Sequence, residues 1–539
     1  MRASRVRWPW ILLGLAAVLL FGSTVHQELG DMGGDSALYV LLAKSLAQGH
    51  GYRDLADPWQ RPHVLCPPGL PLLLAPIVAL VGPYAFWPMH ALVAGCAVAA
   101  VLLAVWLLRT LGEPTAAWLA GWGAVIHPTV LATLVCLWTE FPYAAASLIA
   151  LLGLHRARET TATKNRWVWM AIAGTMAATM TRTVGVALFF AGTCSLCVSG
   201  RDGRRSGRRR VWLTWLLLSA TPFALWMVRN ALAGHTVWEE YGYWREMQLL
   251  DPRHPEQGAI TLMALVRRIW SALFVYTDLL GRLIGGLVWP TALTIVIVGL
   301  IVTGWSVVWA RRRSVVEWYV VWYGLVLLVY PWREERFLLP LLPFGWYYLW
   351  IGGRWCVAQI IAPIWRRTLR VSLMTGLALT LVAHGMASAQ VVRLQHQDYR
   401  LRSVQWAHMH GMEGLRAYPQ LLVAMTDDLE LLQWIRHHHT GRVVIFSSKP
   451  AITALLAAQA SRYILSTTDV GVWRATIGEQ PFPSMVIADQ WTKRSLTWVW
   501  PLLAAHPEFF EPIHTVGSAT LYRIAVERWP VRNDDAHRD

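Results

Sequence analysis

The chain has 539 residues, of which 55% are hydrophobic and only 15% charged, with a mean hydropathy of +0.39. That balance excludes a soluble globular protein of this size and requires much of the chain to be dissolved in lipid. The formal net charge of +16 raises the possibility of a nucleic-acid partner, which the distribution of the charge argues against below.

In chain order, three arginines (Arg2, Arg5, Arg7) precede "WPWILLGLAAVLLFGSTV". No clean small-x-small cleavage site follows, so this segment reads as an uncleaved first span rather than a signal peptide. A first outer loop covers 26–85 and contains "GGDSALYVLLAKSLAQGHGY" (33–52). "CPPGLPLLLAPIVALVG" (66–82) is apolar, but its prolines suit a re-entrant or interfacial segment. Further apolar runs lie near 86–108, 115–132, 140–155, 167–181, 184–200, 211–228, 283–309, 315–331, 337–353 and 371–388. The expectation is an all-α polytopic membrane protein with about eleven transmembrane helices over 1–388. The 33 tryptophans suit the aromatic belts of a bilayer.

The loops set an orientation. If the N-terminus is cytoplasmic, "RARETTATKNR" (156–166), "RDGRRSGRRR" (201–210), "RRR" (311–313) and "WRRTLR" (365–370) share its side, while the other side carries most of the acids. This is the positive-inside pattern. The positive excess therefore reports topology and contact with anionic lipid, and it implies no nucleic acid.

After residue 388 the character changes. "DDLELLQWIRHHHTG" reads as a helix, "RVVIFSS" as a strand, "KPAITALLAAQASRY" as a helix, "SMVIAD" as a strand and "FFEPIHTVGSATLYRIA" as a closing hairpin. Residues 389–539 are expected to form a small extracytoplasmic α/β domain. The six cysteines lie mostly in apolar runs and read as buried free thiols.

On this topology the ionisable residues of interest gather on the outer side. Asp35, Asp31, Asp54 and Asp57 lie in the first loop, Glu140 in "CLWTEFPY", and Arg333, Glu334, Glu335 and Arg336 in "PWREERFLLPLLPF". Arg182 in "TMTRTVG" and Arg229 with Asn230 in "MVRNALAG" close span ends. Ionisable groups at membrane depth are costly and are functional candidates by default. A carboxylate beside arginines could deprotonate a nucleophile next to a bound phosphate. Each also has an ordinary reading. An outer-loop Asp can cap a helix, with Asp31 the rival to Asp35, and Arg182 and Arg229 can snorkel at span ends. Arg336 can pair with Glu334 or Glu335. His437, His438 and His439 read as a solvated helix end, because three adjacent imidazoles converge poorly on one ion. His50 and His63 could join the loop acids around a metal. "AGTMAATM" reads as close helix packing.

The stretches "GGDSALYVLLAKSLAQGHGY", "PPGLPLLLAP", "WTEFPYAAASLIALLGLHR", "TRTVG", "RNALAG" and "ERFLLPLLP" together resemble the integral-membrane GT-C glycosyltransferases over about residues 10–350. The nearest groups are the protein O-mannosyltransferases, the lipid A aminoarabinose transferase and the bacterial RgtA–D-like proteins. The resemblance implies an inverting transfer of a sugar from a polyprenyl-phosphate donor to an acceptor hydroxyl, on the outer face of a bacterial cytoplasmic membrane. It implies Asp35 as the base and Arg336 against the lipid phosphate, with Arg182, Glu140, Tyr39 and Arg229 as substrate-binding or site-shaping residues. Required cofactors are none, and a divalent cation is compatible. The partners implied are the lipid-linked donor, a glycan, lipid or protein acceptor, and membrane lipids. The sequence departs from the pattern at Ser36, where many relatives carry Glu, so the acceptor or metal contact of that Glu lacks its residue here. A lipid or sugar transporter is the alternative from another class, although no internal repeat of the kind transporters often carry is evident.

Overall fold

A computed structural model describes residues 8–30, 33–157, 164–198, 205–233, 243–252, 257–286, 291–395 and 419–529. The chain divides into two compact units. One comprises Met1–Gln27, Val64–Leu70 and Phe86–Arg393; the other comprises Glu28–His63, Pro71–Ala85 and Leu394–Asp539. Most of the first outer loop, Glu28–His63 and Pro71–Ala85, which the sequence reading keeps with the membrane portion, thus shares a unit with the C-terminal segment.

The helices run in order α1 (Trp8–Gly22), α2 (Asp35–Ala47), α3 (Gly69–Val81), α4 (Phe86–Thr110), α5 (Pro114–Val125), α6 (Pro128–Leu134) and α7 (Glu140–Ala157). Next come α8 (Arg166–Thr181), α9 (Val186–Val198), α10 (Arg205–Leu232), α11 (Tyr243–Gln248), α12 (Leu262–Gly285), α13 (Thr291–Arg312), α14 (Val315–Val329), α15 (Leu342–Ala358) and α16 (Pro363–Gln395). Four segments among the described residues are long and apolar enough to cross a membrane: Phe86–Thr110, Arg209–Leu232, Ala292–Arg312 and Pro363–Arg393. Helices α5 and α6 add a fifth if their 50° bend is taken within one span. Pro128 causes that break, since it restricts the residue before it and cannot donate to the helix ladder. Several of the other expected crossings are apolar helices of fewer than 18 residues, among them α1 and α14, and so is α3 in the segment expected to be re-entrant or interfacial. The expected run 283–309 is divided instead, because α12 stops at Gly286, whose φ of 89° is left-handed.

Small residues set the tightest packing in the first unit. A Cβ on Gly174 would lie 2.5 Å from the backbone nitrogen of Ala150, and one on Gly153 equally close to that of Ala171. The "AGTMAATM" stretch of α8 therefore lets its backbone approach that of α7, as the sequence suggests. Gly304 of α13 and Gly352 of α15 permit the same approach, each facing backbone of the other helix.

The second unit continues with α17 (Pro419–His438), β1 (Val444–Ser447), α18 (Pro450–Ala457), β2 (Ala460–Tyr463), α19 (Val470–Gly478), β3 (Ser484–Ala488), α20 (Trp500–Ala505), β4 (Phe510–Val516) and β5 (Ala519–Ile524). The sheet has the order β2-β1-β3-β5-β4. β1 pairs in parallel with both β2 and β3, while β5 is antiparallel to β3 and β4. The two strands and the closing hairpin expected from sequence are present. The expected helix "KPAITALLAAQASRY" is not continuous: it ends at Ala457, Ala458 turns at a φ of 55°, and "ASRY" becomes edge strand β2. Helix α19, not anticipated, begins where Asp469 accepts from the amides of Gly471 (2.7 Å) and Val472 (3.1 Å). Phe446, Trp473, Val486, Leu502, Phe509, Ile524 and Trp529 fill the core beneath the sheet. Burying each side chain of this size contributes about 1.5–3 kcal/mol.

Candidate active site

In the first unit, the predicted residues Glu140, Arg182 and Arg336 come together. Glu140 opens α7 and is 1% exposed. Arg182 stands in the extended break between α8 and a short 3-10 turn, Thr183–Gly185. There its guanidinium pairs with Oε1 of Glu140 and donates to Thr139 Oγ1 at 3.4 Å. Arg336 sits in the 3-10 segment Glu335–Leu341, with Nε 3.8 Å from the same Glu140 oxygen and paired with Glu334.

Both arginines lie on aromatic faces. The Arg336 guanidinium is 4.1 Å from the ring centre of Trp138 and 5.5 Å from that of Phe337, and Arg182 is 5.2 Å from Phe337. Stacking of this kind holds a guanidinium flat while leaving donors on its edge. The second oxygen of Glu140, Oε2, is buried with no hydrogen-bond partner. A buried acceptor left open beside two cations is costly in a resting fold and marks a place where a donor group can be received.

The neighbourhood extends through residues that sequence reasoning singled out less sharply or missed. Arg333 donates to Ser271 Oγ at 2.8 Å. Glu335 accepts from Thr129 Oγ1 at 2.8 Å, so Glu334 rather than Glu335 is the partner of Arg336. Trp138 and Phe337 were legible only as aromatic flanks of "LWTE" and "ERF". Behind them, Tyr143 and Tyr319 join through their hydroxyls at 3.1 Å. Arg229 caps a different corner, bonded to Asn230 Oδ1 at 3.0 Å and over Trp226 at 5.2 Å. Asn230 in turn donates to the Val64 carbonyl at 3.1 Å.

Asp35 and Tyr39 belong to the second unit. Asp35 is the first residue of α2 and half-buried, whereas Tyr39, one turn on, is buried. Gly34 precedes them at φ 104°, a conformation that side-chain-bearing residues rarely adopt. The turn that launches α2 therefore depends on glycine, and Asp35 benefits from the positive end of its helix. Asp31, the rival, lies outside the described residues. Elsewhere in the loop, Asp57 accepts from Nε and Nη2 of Arg61, each at 2.8 Å. Asp54 lies 3.9 Å from His63 Nδ1. Among the described residues no group of three His, Cys, Asp or Glu is arranged to hold a metal ion. His438 donates from Nδ1 to the Trp434 carbonyl (3.0 Å) and stacks on Trp434 at the end of α17.

The carboxyl ends of β1 and β3 carry a polar network. Asp489 accepts from the amide of Thr492 at 2.7 Å, its hydroxyl at 2.9 Å and the amide of Trp491 at 3.2 Å. Asp428, from α17, faces it. Burial and the charge of Asp489 push the Asp428 carboxyl up to about 8. Burial also raises Asp489, against the hydrogen bonds of Thr492 and Trp491 and the ammonium of Lys449. The pair thus keeps a proton at neutral pH.

No protein-family model and no curated protein sequence matches the chain. Solved structures do. ArnT from Cupriavidus metallidurans bound to undecaprenyl phosphate is similar at TM-score 0.59 and 12% identity, covering 96% of this chain and 98% of that one. Its apo state is similar at TM-score 0.57 and 11% identity, covering 97% and 99%. The oligosaccharyltransferase AglB from Archaeoglobus fulgidus, in complex with an inhibitory peptide and a dolichol-phosphate, is similar at TM-score 0.54 and 12% identity, covering 97% of this chain and 75% of that one. The chain therefore has the fold of the GT-C integral-membrane glycosyltransferases, in a multi-pass membrane architecture.

Proposed function

We propose that the chain is an inverting glycosyltransferase that moves a sugar from a polyprenyl-phosphate carrier to an acceptor hydroxyl. The observation that carries this reading is the buried Glu140 oxygen shared by Arg182 and Arg336, on a fold similar to that of ArnT bound to undecaprenyl phosphate and of AglB in complex with a dolichol-phosphate. In this reading the two aromatic-backed guanidinia receive the lipid phosphate and neutralise the charge that grows on it as the sugar departs. Such preorganised electrostatic stabilisation is usually the largest catalytic contribution. Glu140 keeps the arginines from repelling each other while the site is empty. Asp35 takes the proton of the acceptor hydroxyl as that oxygen attacks the anomeric carbon, and the phosphate leaves from the opposite face. Tyr39 and Arg229 are assigned to substrate binding in this reading. No step requires a metal, although a divalent cation is compatible. The arginine-rich loops support an N-terminus in the cytoplasm, with the reaction and the C-terminal domain on the outer face of a bacterial cytoplasmic membrane.

The test is transfer from radiolabelled polyprenyl-phosphate sugars in membranes, with wild type and Asp35→Asn at equal expression. Transfer in wild type alone supports both the reaction and the base, and the labelled product identifies the acceptor. Equal transfer in both removes Asp35 as the base. No transfer with any donor brings the transporter alternative forward.

A further inference from the structure

In an open α/β sheet, the carboxyl ends of two adjacent parallel strands whose connections depart in different directions leave a crevice, and that crevice is the usual place for a ligand. Strands β1 and β3 are such a pair here: the chain leaves β1 through α18 towards β2 on one side, and reaches β3 on the other. The crevice is filled by the protein's own side chains. Ser448 Oγ and Thr492 Oγ1 are 2.7 Å apart, and Ser447 Oγ accepts from the Lys449 amide at 3.1 Å and from Thr453 Oγ1 at 2.8 Å. Asp489 closes it from the β3 side.

Lys449, immediately before α18, reaches out of this network. Its ammonium is near the carboxylate of Asp489 and 6.0 Å from the ring centre of Trp491. It donates to the backbone carbonyl of Gly33 at 3.3 Å. Gly33 and Gly34 form the turn that starts α2, and Gly34 sits at a φ of 104° without a side chain to cap the helix. The sheet network is therefore tied, through this cation, to Gly33, two residues before Asp35. Helix α18 also packs along α2, so the cation lies where the two helices begin.

We propose that Lys449 is a positioning residue for Asp35: it fixes the Gly33–Gly34 turn and so the direction of the carboxylate, without touching substrate. The assignment rests on the glycosyltransferase reading for its catalytic consequence, and on the Lys449–Gly33 contact for its structural one. A glycine pair has more backbone freedom than any other dipeptide, so an external restraint there has a large effect on where the next side chain points. Misplacing a reacting group by about 1 Å can cost up to about 100-fold in rate.

The experiment compares wild type, Lys449→Met and Lys449→Arg in the full chain. It measures transfer kinetics with a radiolabelled polyprenyl-phosphate sugar and hydrogen–deuterium exchange over residues 33–39. The expected result is faster exchange in Lys449→Met and a fall in kcat of between about 10- and 100-fold. KM for the donor should hold, and Lys449→Arg should recover both readouts. Unchanged exchange in Lys449→Met overturns the contact, and changed exchange with unchanged kcat overturns the positioning role. Loss in Lys449→Arg equal to that in Lys449→Met, with a lowered melting temperature in both, assigns Lys449 to folding alone and overturns the proposal. Absence of transfer in wild type is a failure of the glycosyltransferase reading, and the exchange comparison then still decides whether Lys449 holds the turn.

Discussion

Arg336 Nε stands 3.8 Å from Oε1 of Glu140, the same oxygen that Arg182 engages. One carboxylate thus compensates two guanidinia brought from segments that are far apart in the chain. Arg336 draws in Glu334 as well, so that two carboxylates face the two guanidinia.

Removing Glu140 should therefore expose its role as a keystone. Glu140→Gln is expected to destabilise the fold by about 3 kcal/mol, since it removes the buried charge that Arg182 engages and leaves Arg336 to Glu334. Adding Arg182→Met should return part of that loss, because one stranded charge disappears. Melting of the single and double variants in detergent provides the cycle. Strict additivity would show that the two residues are not coupled.

Arg336→Gln should leave the fold standing and weaken the reaction. If the guanidinium meets the departing phosphate, the loss belongs in kcat/KM for the donor at about 100-fold or more, as for other preorganised charge-stabilising donors. Acceptor KM should hold. A variant with full donor kinetics would remove Arg336 from the phosphate.

Gly34→Ala should cost about 1–3 kcal/mol, the usual strain of a side chain forced into left-handed backbone. There is space for the methyl group, so the penalty is conformational and not steric. Transfer activity should fall with it, because Asp35 is the next residue. A melting temperature equal to wild type would contradict the φ of 104°.

The buried acids make the second unit sensitive to pH. The folded chain binds the proton of Asp428 up to about pH 8, whereas an unfolded carboxyl releases it near about pH 3.9. The proton therefore stabilises the fold fully at low pH, and the benefit declines as pH rises from about 4 through about 8. Asp489, also raised, and the ammonium of Lys449 are the charged neighbours that share the titration. Asp428→Asn mimics the protonated form. It should flatten the decline between pH 5.5 and 8.5 and raise the melting temperature at the alkaline end by roughly 2–4 °C for each kcal/mol recovered. A parallel decline in wild type and variant would place the titrating group elsewhere.

What the sequence determined by itself is what composition and period encode. A hydropathy of +0.39 with few charges made a membrane protein unavoidable. Short continuous apolar runs announced β1 and β3, the turn residues of "TVGSAT" announced the hairpin, and the small residues of "AGTMAATM" announced a close helix contact. The chemical types in "GGD", "LWTE", "TRTVG" and "ERF" marked the candidate site residues. Only the tertiary structure decided which of them meet. Glu140, Arg182 and Arg336 converge because three segment ends turn at one level, a matter of packing that no local pattern carries. Tertiary structure also chose Glu334 over Glu335 as the partner of Arg336, although the two are adjacent and identical in chemistry. It ended the α18 helix at Ala457, where pairing with β1 rewarded a strand that propensity alone would leave helical. And it brought Lys449 to Gly33 across more than four hundred residues of chain, a contact made by the docking of two helices and invisible to any window of sequence.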